Sequence, residues 1–72
     1  MDQDKALIDL GLRIKQLRKA KGLTQIDLAA KIGKDDRAIG RLENGRTNPT
    51  FKTLLEVAAG LDVSVSELME GF

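Results

Sequence analysis

The sequence predicts an all-α fold, a compact five-helix bundle forming a single domain over residues 1–72. Apolar residues recur three and four positions apart in each segment, which is helical spacing. Glycines and a proline (Gly22, Gly33, Gly45, Pro49, Gly60) divide those segments at helix-like lengths. No strand pattern competes, because Val63-Ser64-Val65 is too short.

The first helix is expected over about Lys5–Lys21. Leu7, Leu10, Ile14 and Leu17 form its buried stripe, and Ile8 and Leu12 either widen it or pack under the C-terminal part. Asp4 and Asp9 near its start and Lys15, Arg18, Lys19 and Lys21 toward its end suit the helix dipole. Thr24 then caps a second helix, with Asp27 as its capping-box partner. Leu28, Ala29 and Ile32 give that helix an apolar face, and Gly33 stops it by accepting the left-handed conformation. Asp35 caps a third helix at about 36–43, with Ile39 and Leu42 inward. Residues 25–44 therefore read as two helices joined by a tight turn, with a small residue needed where they cross and supplied by Ala29. Asp36, Arg37, Gly40 and Arg41 point outward from the third helix. Gly40 costs about 1 kcal/mol relative to alanine inside a helix. Close approach of a ligand backbone or simple tolerance would each account for it. Asn44 to Pro49 is the main loop. Thr50 caps a fourth helix at about 51–60 that buries Phe51, Leu54, Leu55 and Ala58 and ends at Gly60. Ser64 and Glu67 form a capping box for a last helix carrying Val65, Leu68 and Met69.

Composition narrows the function. The chain has no cysteine, histidine, tyrosine or tryptophan, so thiolate metal sites, disulfides and most nucleophile–base arrangements are excluded. Neither a metal nor a cofactor is implied, and an enzyme is the poorest reading. The start MDQDK lacks a signal-peptide pattern, and no apolar run approaches membrane-spanning length, so a cytoplasmic location is expected. The formal net charge is only +1, yet it is segregated. Residues 13–52 hold eleven basic against four acidic residues, and the remainder holds one basic against seven acidic. A basic middle of this kind can draw a polyanion despite a near-neutral total.

The stretch Gln25, Leu28-Ala29, Ile32-Gly33, Ile39 and Leu42-Glu43-Asn44-Gly45 resembles the helix-turn-helix of the lambda-repressor and Cro-like family of prokaryotic DNA-binding proteins. The flanks match too, with Ile14-x-x-Leu17-Arg18 before it and Leu54 through Leu68 after it, so the likeness covers about residues 10–70. The resemblance implies a transcriptional regulator, a repressor among the possibilities, whose recognition helix 36–43 enters the major groove of double-stranded DNA. On that reading Arg37 and Arg41, four apart on one face, reach base edges, since the guanidinium fork matches guanine O6 and N7. Asp36 either accepts from a cytosine amino group or supports the helix dipole. Gly40 lies among them. The resemblance places a phosphate at the start of the second helix, on Gln25, where free N–H groups favour an anion. It lays Asn44 and Arg46 along the sugar-phosphate backbone, with Lys34 and Thr47 as further phosphate candidates. Asn44 also suits a helix C-cap. It also implies that Arg18 and Glu43 form a structural ion pair largely out of water.

One domain of this size contacts few base pairs, so a homodimer on a palindromic operator is expected. Leu61, Val63, Met69 and Phe72 are the candidates for its interface. Small members of the family include Cro-like phage repressors and controllers of restriction–modification systems. The alternative is a protein-interaction module such as an antitoxin of the same fold, with a toxin as partner.

Overall fold

Five helices appear in the computed structural model, which describes residues 3–72: α1 Gln3–Ala20, α2 Gln25–Ile32, α3 Asp36–Glu43, α4 Phe51–Gly60 and α5 Val65–Leu68. Asp2, one of the acidic residues counted above, lies outside them. Each of the last four helices opens on a side chain that accepts a backbone N–H of its first turn. Thr24 accepts from Asp27, Asp35 from Arg37, Thr50 from Thr53 and Ser64 from Glu67. Thr24 and Ser64 form full capping boxes, in which Asp27 and Glu67 reach back to the cap amides. That bond from the Thr24 amide holds the Asp27 carboxyl below its usual pKa.

Helix ends are equally local. At Gly33 the backbone turns left-handed (φ +67°), and the Lys34 N–H returns to the Ala29 carbonyl at 2.9 Å. After α3, Gly45 takes φ +71° while Arg46 N–H bonds the Arg41 carbonyl at 2.9 Å. α4 ends at Gly60, as expected, but the left-handed position after it belongs to Asp62 (φ +57°), with Val63 N–H bonded to the Ala58 carbonyl at 3.0 Å. Gly60 is a contact residue instead. A Cβ there would lie 2.6 Å from Ile32 Cγ2 and 2.9 Å from Leu28 Cδ1, so its missing side chain lets α4 cross α2 closely.

The core is aliphatic: Leu10 and Ile14 from α1, Leu28 and Ala29 from α2, Ile39 and Leu42 from α3, Val57 and Ala58 from α4, then Leu61 and Leu68. The α1 stripe is narrower than expected. Leu7 and Leu17 are half-buried, and Ile8 and Leu12 are about half exposed (48% and 50%). Its place is taken partly by Gly11, where a Cβ would meet the Glu43 carbonyl and lie 2.6 Å from that of Leu42. On α4 the buried face is centred on Val57 and continues to Leu61, which leaves Phe51 (65%) and Leu55 (47%) exposed. Ala58 is buried and Leu54 half-buried as expected, so only Phe51 and Leu55 fall off the buried face. The last helix is a single turn. Arg13 of α1 ties down its end, donating from Nη2 to the Glu67 carbonyl at 2.8 Å and lying 3.7 Å from the Glu70 carboxylate.

Candidate nucleic-acid interface

The site is built on α3. Ile39, Leu42 and Glu43 turn inward, and Asp36, Arg37 and Arg41 are exposed on the opposite side. Asp35 is used by its own helix, since its Oδ1 accepts the Arg37 amide at 2.9 Å. Asp36 is left in the first turn, where its charge suits the dipole and its side chain meets solvent. Gly40 is half-buried rather than fully outward. A Cβ there would lie 3.6 Å from Gln25 Oε1, an ordinary van der Waals distance.

What holds α3 is a buried polar cluster at its last residue. Arg18 Nε donates to Glu43 Oε2 at 2.6 Å and Arg18 Nη2 to Oε1 at 3.0 Å, a bidentate pair. The two side chains are 8% and 2% exposed. Arg18 Nη1 also donates to the Leu23 carbonyl at 2.8 Å. Hydrogen bonding to Glu43 raises the Arg18 pKa further, against the opposing effect of burial. Gln25 Nε2 donates to Glu43 Oε1 at 3.1 Å. Three donors from two helices therefore converge on one carboxylate of a third.

The remaining sequence candidates separate in space. Asn44 and Arg46 are exposed just beyond α3, and the Asn44 amide bonds back to the Gly40 carbonyl, so Asn44 is also the helix C-cap. At the start of α2 the amides of Gln25 and Ile26 have no intrahelical partner, as first-turn amides do not. Thr47 is half-buried in a groove of ≈ 290 Å³ between α3, the following loop and α4. Lys34 is half-buried, and its Nζ lies 3.7 Å from Glu56 of α4. A partly exposed pair of this length is weak and leaves the ammonium free to meet a phosphate as well. Leu61 corrects the expectation. It is fully buried in its own core, because it extends the Val57 face of α4, and it has no surface to offer a second copy. Val63 and Met69 are half-buried against the core, and Phe72 keeps 49% of its surface exposed. Phe72 and Met69 border a ≈ 260 Å³ groove with Leu7 and Leu10 of α1 and Leu54 of α4. Sequence reasoning missed two contributors. Arg13 was counted in the basic middle, yet it serves α5. Gly11, where α1 meets α3, carried no local signal at all.

A short helix held proud by a buried ion pair, with arginines on its open face, defines a helix-turn-helix DNA-binding protein. The helix-turn-helix family model matches residues 14–68, and the chain belongs to that family, of lambda-repressor and Cro-like type. Among its relatives, the HTH-type transcriptional regulator y4dJ of Sinorhizobium fredii is 43% identical over 60 residues, covering 83% of this chain and 78% of the relative. The regulator SinR of Bacillus subtilis is 44% identical over 62 residues, 85% of this chain but 56% of SinR. Against the immunity repressor of Bacillus phage phi105 the chain spans 42% of the relative's length. Among solved structures, the restriction–modification controller protein C.AhdI from Aeromonas hydrophila superposes with a TM-score of 0.88 at 37% identity, covering 90% of this chain and 98% of that one.

Proposed function

We propose that this chain is a sequence-specific transcriptional regulator of prokaryotic type that reads double-stranded DNA by placing α3 in the major groove. The observation that carries this is the exposed Asp36, Arg37 and Arg41 face on a helix whose inner face is fixed by Arg18 and Glu43. Asn44, Arg46 and the first turn of α2 flank that face and suit phosphate contacts, which supply most of the affinity. Lys34 and Thr47 are further phosphate candidates. The domain works as a homodimer on a palindromic operator, in the cytoplasm, without metal or cofactor. Similarity to C.AhdI and to the control protein C.MunI of Mycoplasma (39% identical over 62 residues) favours the small controller type.

Selection of bound duplexes from a random oligonucleotide pool tests it. The expected result is enrichment of a two-fold symmetric sequence. The Arg41→Ala variant should stay folded and lose about 1–3 kcal/mol of discrimination at one base pair per half-site. A pool that is never enriched, or an Arg41→Ala protein with an unchanged sequence preference, overturns the assignment of α3 as the base-reading helix.

A further inference from the structure

The segment that leaves the recognition helix is held from two sides. From α3, the amides of Asn44, Gly45 and Arg46 return to the carbonyls of Gly40, Leu42 and Arg41 at 3.1, 3.2 and 2.9 Å. From α1, backbone meets backbone. Gly45 is left-handed (φ +71°), and no side chain fits there, because its Cβ would fall 2.9 Å from both Cα and Cγ1 of Ile8. The loop therefore rests directly on α1. Further along the same helix, Gly11 leaves equally little room, since a Cβ there would fall 2.6 Å from the Leu42 carbonyl oxygen. That oxygen is the acceptor of the Gly45 amide. Positions 8 and 11 are three apart, so they are neighbours on the surface of α1. Both precede the residues 14–68 matched by the family model. Asn44 and Arg46, the residues on either side of Gly45, are exposed.

We infer that Ile8 is a positioning residue for the phosphate contacts: α1 seats the backbone of Gly45, and that seat fixes where Asn44 and Arg46 stand relative to α3. The inference rests on the DNA-reading proposal above, which puts those two residues on the sugar-phosphate backbone. Ile8 is uncharged and keeps 48% of its surface open, so shortening it removes little buried area. Its influence on binding passes through the loop. A displaced loop loses phosphate contacts and leaves Arg37 and Arg41 where they are, so every duplex is weakened alike. Residues that act through one contact are also not additive.

The test measures binding of the selected duplex and of a scrambled duplex across a salt series, with helical content followed by circular dichroism. Four proteins are compared: wild type, Ile8→Ala, Arg46→Ala and the double variant. Ile8→Ala should weaken both duplexes on the order of three- to tenfold, the scale of coupling between contacting residues. The ratio of the two affinities should not change, and the salt slope should become shallower by about one unit. In the Arg46→Ala background the same change should add little. Ile8→Val, which keeps the γ carbon against Gly45, should behave as wild type. A folded Ile8→Ala protein with wild-type affinity and slope overturns the inference, and so does an equal loss in both backgrounds; either result leaves the regulator reading intact. A wild-type protein that binds no duplex at low salt overturns both. Ile8→Leu, which conserves volume but moves the branch off Cβ, serves the same comparison if the alanine variant folds poorly.

Discussion

Glu43 is the residue on which the site depends. It is an acid at the end of a helix meant for a polyanion, and it is tolerable there because Arg18 and Gln25 surround it away from the surface. Coulomb attraction alone does not make such a pair stabilising, since desolvation of both charges opposes it. Its removal by halves is the damaging event. Glu43→Ala leaves the Arg18 guanidinium buried without its acceptor, and should cost about 3–5 kcal/mol. That is comparable with the whole stability of about 5 kcal/mol expected for a small domain. Urea unfolding should therefore find this variant largely unfolded in buffer, and the double variant Arg18→Met, Glu43→Leu close to wild type. Equal damage from both would assign the pair a net stabilising role instead.

At the scale of the helices, the informative residues are those with no side chain. Gly11 and Gly40 both lie inside helices, and both carry the same penalty of about 1 kcal/mol relative to alanine. Their surroundings differ. Gly11 is pressed on the carbonyls of Leu42 and Glu43, whereas Gly40 has room for a methyl group. Gly40→Ala should raise stability by up to about 1 kcal/mol. Gly11→Ala should lower it by about 1–3 kcal/mol, because α1 and α3 must separate. Thermal melts of the two variants in opposite directions would confirm that glycine serves packing at one site and not at the other. This contrast also marks the limit of what was legible in the sequence. The caps at Thr24, Asp35, Thr50 and Ser64, and the stop at Gly33, involve atoms a few residues apart and could be read directly. The outward set Asp36, Arg37 and Arg41 followed from helical spacing. The face of α4, the contacts of Gly11 and Gly60, the turn of Lys34 to Glu56, and the use of Arg13 at α5 all join distant segments. Nothing in a local window specifies them. The Arg18–Glu43 pair is equally distant in sequence, and it was foreseeable only by family resemblance.

For the whole molecule, the unburied apolar residues are the open account. Phe72 is half exposed at the edge of a groove shared by α1, the loop before α4, and the C-terminal segment. With Leu61 removed from the candidates, Phe72 is the most accessible of the proposed dimer residues. Phe72→Asp should shift sedimentation from dimer to monomer with helical content retained, and a dimer that persists would place the contact on another surface. The charge map also changes at this scale. Arg13 and Arg18 are spent internally, so the attractive field for DNA comes from the exposed cations that remain, among them Arg37, Arg41 and Arg46.

The cluster at Glu43 has one further consequence. Arg18 belongs to α1, Leu23 to the turn after it, Gln25 to α2 and Glu43 to α3, and they meet at a single point. No one of these segments can peel away alone without stranding the others. Opening of the recognition helix alone would strand the Arg18 guanidinium and the Gln25 amide without their acceptor, so its amides are expected to be protected from hydrogen exchange nearly as strongly as the core of the whole fold.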